Sequence, residues 1–212
     1  MLFWCMTNWL ERLTGETQAK LLALLRRSHR TITGLSKALG LTDNAVRTHV
    51  AVLRRDGIIE DVGTQRETGG KPARLYGLTA EGEELFPKAY ALVLSGLVEE
   101  IARKDGREQA LELLRAVGER TAAGTRAPSD MKGRVAAAAD VLRGIGADIE
   151  VQRTEDGWRL QGYGCPFSAV TPNHPEVCGL AQALIEEITG RPVTECCERR
   201  EGARCGFTIE DA

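Results

Sequence analysis

The sequence predicts an α+β chain on three observations: a run of three short helices followed by two strands around a basic glycine loop, a stretch of long amphipathic helices, and a small C-terminal α/β segment that holds five of the six cysteines. Those cysteines, Cys165, Cys178, Cys196, Cys197 and Cys205, are spaced C-x12-C-x17-C-C-x7-C, and only Cys5 stands apart. At 212 residues and 42% hydrophobic the chain can bury more than one core. The expected division is a winged helix-turn-helix over 1–78, long helices over 79–124, and a cysteine-rich domain over 125–212.

From Glu16, Leu21, Leu22, Leu24 and Leu25 mark a first helix whose last turn, Arg26 and Arg27, suits its dipole. Thr31 or Thr33 can cap a second, with Leu35, Ala38 and Leu39 on its apolar side and Gly40 at the reversal. Thr42 or Asp43 caps a third over 44–55, stopped at Asp56-Gly57. Strands are expected over 58–63 and 74–78, and the loop 65–72 between them makes a wing.

Thr79 then caps a long helix with Leu85, Phe86, Ala89, Leu92, Val93, Gly96, Leu97 and Ile101 at spacings of three and four, in which Pro87 is expected to kink the chain or open a fresh first turn. A further helix carries Ala110, Leu111, Leu114 and Val117, and 124–130 reads as a linker. Beyond it come a small-residue helix over 135–142, strands over 148–153 and 158–163, a helix over 175–189, and strands over 193–199 and 204–209.

The net charge of −2 hides a division: residues 17–78 carry +6 and residues 79–212 carry −7. A basic front on an acidic body suits a polyanion-binding head. The apolar opening MLFWCM is too short to span a membrane and lacks a basic region or cleavage signal, so it reads as an extension, with Met6 as an alternative start. The expected location is the cytoplasm, where clustered cysteines bind metals or sense oxidants more often than they form structural disulfides.

In a helix-turn-helix the third helix buries one face and offers its N-terminal residues to the major groove. Val46, Val50 and Leu53 form the buried face, which leaves Asp43, Asn44, Arg47 and Thr48 outward. Asn44 can read adenine and Arg47 guanine through paired hydrogen bonds. His49 lies beside the buried face and reads as a packing residue. Arg26, Arg27, Arg30, Lys37 and Arg54 are candidate phosphate contacts, and Arg66, Lys71 and Arg74 extend the set into the wing. Solvated basic residues on a protein-contact module are the inert alternative, disfavoured because motif, wing and charge agree.

Four uses compete for the thiols. Structural zinc usually draws C-x2-4-C pairs, which this chain lacks, and disulfide sensing needs only two thiols brought close. Buried cysteines can be inert hydrophobes, whereas an iron-sulfur cluster tolerates ligands spread widely in sequence. Alternation from Val193 puts Glu195 and Cys197 on its face and Cys196 on the other. A hairpin at Glu201-Gly202 would bring Cys197 to Cys205, with Cys165 at a strand end and Cys178 at a helix start completing the site. His174 is a possible nitrogen ligand but reads better as a surface loop residue. Enzyme motifs are absent: no Gly-rich nucleotide loop, no metalloprotease helix, and only three histidines.

The run from Gly69-Gly70-Lys71-Pro72 through Leu78-Thr79, then Leu85-Phe86-Pro87, and Cys165-Pro166-Phe167 continuing to Cys178, resembles the SufR-type repressors of iron-sulfur cluster assembly genes. The end, Cys197-x7-Cys205-Gly206-Phe207, is also similar to small α/β sensor domains of the vinyl-reductase type. The resemblance implies a homodimer, joined through the long helices, that binds an inverted repeat in double-stranded DNA while each C-terminal domain holds a cluster, [4Fe-4S] in preference to [2Fe-2S]. It carries over Cys165, Cys178 and Cys205 directly. The doubled Cys196-Cys197 departs from the family's single cysteine; Cys197 is the expected fourth ligand, Cys196 its alternative, and zinc the alternative metal.

Overall fold

The structure, a computed structural model, describes residues 10–66, 72–197 and 204–211, and divides into two compact units, Met1–Lys88 and Ala89–Ala212. The apolar opening and its alternative start at Met6 lie outside the described residues.

The first unit runs α1 (Glu16–Arg27), α2 (Ile32–Leu39), α3 (Asp43–Arg55), β1 (Ile59–Gln65), β2 (Ala73–Leu78) and α4 (Ala80–Glu84). Thr31, not Thr33, caps α2, its hydroxyl accepting the Gly34 N–H at 3.1 Å. Thr42, not Asp43, caps α3 in the same way through Ala45. Gly40 adopts φ 68°, the left-handed reversal expected there. Ala38 is exposed, and Ile32 and Ser36 take the buried places beside Leu35. β1 and β2 pair antiparallel with a bulge between Asp61 and Gly63, and Arg30 adds a third short edge by exchanging two backbone hydrogen bonds with Tyr76. Leu21, Leu22, Leu35, Val46 and Ile59 fill the core under this sheet.

The long helix expected after Thr79 is two helices, α4 and α5 (Tyr90–Asp105). Pro87 has no N–H, and its ring would crowd the carbonyl four residues back, so the chain leaves the helix and starts again at Tyr90. Phe86 is thereby buried in the core of the first unit.

The second unit continues α6 (Arg107–Ala122), α7 (Met131–Gly144), β3 (Asp148–Thr154), β4 (Gly157–Gly164), a 3-10 turn at Pro175–Val177, α8 (Cys178–Thr189), β5 (Val193–Glu195) and β6 (Gly206–Glu210). Asp130 caps α7, which starts at Met131, four residues ahead of the expected Val135. The four strands form one antiparallel sheet in the order β3-β4-β6-β5. Ile149, Leu160, Val193, Phe207 and Ile209 meet Val135, Ala139 and Leu142 of α7 and Leu184 and Ile185 of α8 in one core.

α6 lies against α8 at unusually close range. A Cβ on Gly118 would stand 2.1 Å from the Leu180 carbonyl oxygen, and one on Gly179 would stand 2.3 Å from Leu111. Arg115 and Glu186 form an ion pair across the same contact. On α5, Tyr90, Leu92, Val93 and Leu97 remain exposed, as do Leu113 and Val117 on α6.

Candidate DNA-reading head and thiol site

Helix α3 presents the expected faces: Val46, Val50 and Leu53 are buried, Asn44, Arg47 and Thr48 are exposed, and His49 is half-buried. Asp43 does not face outward as expected. Its carboxylate accepts hydrogen bonds from the Ser36 hydroxyl and, at 3.3 Å, from the Thr33 hydroxyl, which bolts α3 to α2. Nothing in its spacing separated this role from a groove contact.

Lys37, Arg54, Arg66 and Arg74 are exposed, and Lys71 lies outside the described residues. The Arg54 guanidinium stands 5.9 Å from the Tyr76 ring centre, and Arg74 pairs with Asp61 at 3.1 Å. Arg26, read as a phosphate contact, is instead engaged within the unit, paired with Glu83 at 2.6 Å and stacked 4.2 Å over Phe86. Arg30 is half-buried, and a cleft of about 220 Å³ lined by His29, Arg30, Lys37 and Gln65 opens beside the start of α2.

The four expected thiols converge from four separate segments. Cys165 follows β4, Cys178 opens α8, Cys197 follows β5 and Cys205 precedes β6. Hydrogen bonds link them in series, Cys178 to Cys197, Cys197 to Cys205, and Cys205 to Cys165. Cys197 and Cys205 do lie side by side, flanking the antiparallel pair β5–β6; β5 ends at Glu195, and the turn expected at Glu201-Gly202 lies outside the described residues. The Cys196 N–H still reaches the Gly206 carbonyl at 2.8 Å, so the pairing and its alternation persist past the strand. Cys196 is exposed, and Cys197 packs against the core.

Charge is unevenly distributed along this series. The Cys165 thiol is drawn down to about 7 by the hydrogen bond from Cys205 and then, against the cost of burial, by the Phe167 backbone N–H. Cys205 is pushed up to about 12 because it donates to Cys165 and is buried. At Cys197 the Cys178 hydrogen bond pulls downward, but donation to Cys205 and burial together push it up to about 12. Among the four gathered sulfurs Cys165 is thus drawn down, and the Gly206 N–H donates to the Cys197 sulfur at 3.3 Å. Soft sulfur donors drawn from separate segments fit a soft metal ion or an iron-sulfur cluster.

One donor escaped the sequence analysis. Donor atoms of Cys178, Glu195 and Cys197 all lie within 4.8 Å of one another. The signal was present in the alternation that put Glu195 on the face of Val193 and Cys197. His174 is buried rather than a surface loop residue; its Nδ1 stands 3.7 Å from Glu176, and it does not join this group of donors.

No curated protein sequence matches the chain. Among solved structures, reduced HlyU from Vibrio cholerae N16961 is 24% identical with a TM-score of 0.28, the match covering 45% of this chain and 82% of that one. NMB1585, a MarR family regulator from Neisseria meningitidis, is 20% identical with a TM-score of 0.30, covering 50% of this chain and 74% of that one. Residues 15–61, which are α1, α2, α3 and the start of β1, match the family described as bacterial regulatory protein, arsR family. That segment is similar to the arsR-family helix-turn-helix, which marks the first unit as the DNA-binding head of a winged-helix regulator.

Proposed function

We propose that the protein is a winged-helix transcriptional repressor whose operator affinity is set by an iron-sulfur cluster held by Cys165, Cys178, Cys197 and Cys205, and that it controls cluster-assembly genes. The observation that carries this reading is the convergence of four thiols from four segments in a chain that begins with an arsR-type head. Asn44, Arg47 and Thr48 read base edges in the major groove, while Lys37, Arg54, Arg66, Lys71 and Arg74 hold phosphates. The exposed apolar stripe of α5 and α6 supports a homodimer, which a two-fold operator requires.

Held by these thiols, a [4Fe-4S] or [2Fe-2S] cluster would supply sensitivity to oxidants, because oxidation dismantles it. Cys178 is the first residue of α8, and α8 is seated on α6 through Gly118 and Gly179. Ordering of Cys178 is therefore transmitted to the helix that carries part of the apolar stripe, a contiguous route by which ligation biases the spacing of two heads.

A second reading is favoured by the donor spacing. A tetrahedral ion at about 2.3 Å from each sulfur sets the sulfurs roughly 3.8 Å apart. The donor atoms of Cys178, Cys197 and Glu195, all within 4.8 Å of one another, suit such a single ion, zinc above all. Metal and sulfide analysis with a visible spectrum of anaerobically isolated protein separates the two: brown protein with iron and acid-labile sulfide is expected, and colourless protein with one zinc per chain would overturn the cluster. Cys178→Ser is expected to abolish loading and to weaken operator binding at least tenfold. Unchanged affinity would sink the coupling.

A further inference from the structure

We infer that Glu195 is a fifth donor at the thiol site, an oxygen ligand that closes a mixed subsite with Cys178 and Cys197. This rests on the single-ion reading above and deepens it, because in a [4Fe-4S] cluster the four cysteines would already fill one place on each iron.

Three observations support the assignment. Along β5 the side chains of Val193 and Glu195 share a face, and Val193 is buried in the core against α8. Glu195 sits directly opposite Phe207, itself 1% exposed, so a carboxylate occupies an inward position of a strand whose neighbours on that face are apolar. Its oxygen lies within 4.8 Å of both the Cys178 and the Cys197 sulfur. Gathering a carboxylate and two thiols this closely is electrostatically unfavourable once they ionise, and a bound cation reverses the sign of that term.

β5 is also fixed from behind. The Gln182 amide donates to the Val193 carbonyl at 2.8 Å and Glu186 accepts the Val193 N–H at 3.3 Å, so α8 sets both Cys178 and the strand that carries Glu195. These donors are therefore positioned by one helix, while Cys165 and Cys205 continue the hydrogen-bonded series from Cys197. The inward charge has a rival explanation, because edge strands use such charges to discourage pairing with other chains. β5 is an edge strand of its sheet. A guard of that kind has no need to reach two sulfurs.

The two explanations differ in what Co²⁺ sees. Reduced full-length protein is titrated with Co²⁺ under anaerobic conditions, and the visible d–d bands and the sulfur-to-cobalt charge-transfer band are followed for wild type, Glu195→Ala and Glu195→Cys. Ligation predicts that Glu195→Ala weakens Co²⁺ binding tenfold or more and changes the d–d envelope, whereas Glu195→Cys keeps tight binding and intensifies the charge-transfer band. Thermal unfolding of the metal-free variants controls for folding. If wild type binds Co²⁺ and Glu195→Ala binds it with the same affinity and spectrum, the assignment of Glu195 is overturned and the thiol site stands. If wild type binds no Co²⁺, the single-ion reading fails and Glu195 with it, and anaerobic loading with iron and sulfide then tests the thiols alone.

Discussion

The winged-helix head and the thiol unit place their candidate functional side chains under opposite rules. In the head the apolar side of α3 is spent on the core, and Asn44, Arg47 and Thr48 are exposed on a solvated face. In the thiol unit the functional groups are pressed together at the edge of the core, where each shifts the proton affinity of the next. A free face can change chemistry without changing the fold. A convergent site cannot, because the helices and strands that bring its donors together are the same ones that pack the core.

The largest effect that should separate these rules is at Gly118. An added methyl would stand 2.1 Å from the Leu180 carbonyl oxygen, a backbone atom that cannot step aside without moving α8. Gly118→Ala is expected to destabilise the second unit by about 3 kcal/mol, the upper part of the range for overpacking a close contact. It should also impair metal loading, since α8 carries Cys178. Gly96 on α5 provides the control, because a methyl there meets nothing within 4 Å, and Gly96→Ala should gain up to about 1 kcal/mol from helix propensity. Urea unfolding of both variants checks the pair, and equal stabilities would break the contrast.

In the head the corresponding change should leave stability alone. Arg47→Ala removes an exposed side chain and is expected to cost about 1–3 kcal/mol of operator binding with relaxed preference at one base pair, and within about 0.5 kcal/mol of stability. Anisotropy titrations on the operator and on single-base variants measure this. A uniform loss across sequences, with a salt slope lower by about 1, would make Arg47 a phosphate contact instead.

The elements whose signals are local were legible in the sequence. The period of Val46, Val50 and Leu53, the caps, the αL glycine at Gly40 and the hairpins all follow from contacts within a few residues. The convergence of Cys197 with Cys205 was legible too, because the two flank strands whose antiparallel register the alternation fixes. What could not be read were partners distant in sequence and chosen by packing. Arg26 looks like any basic residue at the end of a helix until Glu83 and Phe86 are folded onto it. Asp43 looks outward until Ser36 of α2 is brought beneath it. Glu195 stood on the correct face, yet its proximity to Cys178 depends on how α8 lies behind β5.

The Arg26–Glu83 pair yields the smallest effect and sharpens the comparison from the side of the head. Hydrogen bonding from Arg26 lowers the Glu83 carboxyl below its ordinary value of 4.5, opposed by a little desolvation and helped further by Arg26 and Lys88 charge. A depressed carboxyl stabilises the fold above the unfolded value, and that contribution disappears as pH falls through the folded one. The loss should therefore fall below about pH 4.5. With the Glu83 side chain 39% exposed, solvent screening limits it to under about 1 kcal/mol. Urea midpoints measured from pH 7 to pH 3 should show this slope for wild type and a flatter one for Glu83→Gln. At pH 7 the same pairing predicts that Arg26→Gln lowers stability slightly while leaving the salt dependence of DNA binding unchanged. A salt slope reduced by about 1 would return Arg26 to the phosphate-binding set, and the head would then use even its paired charges on the nucleic acid.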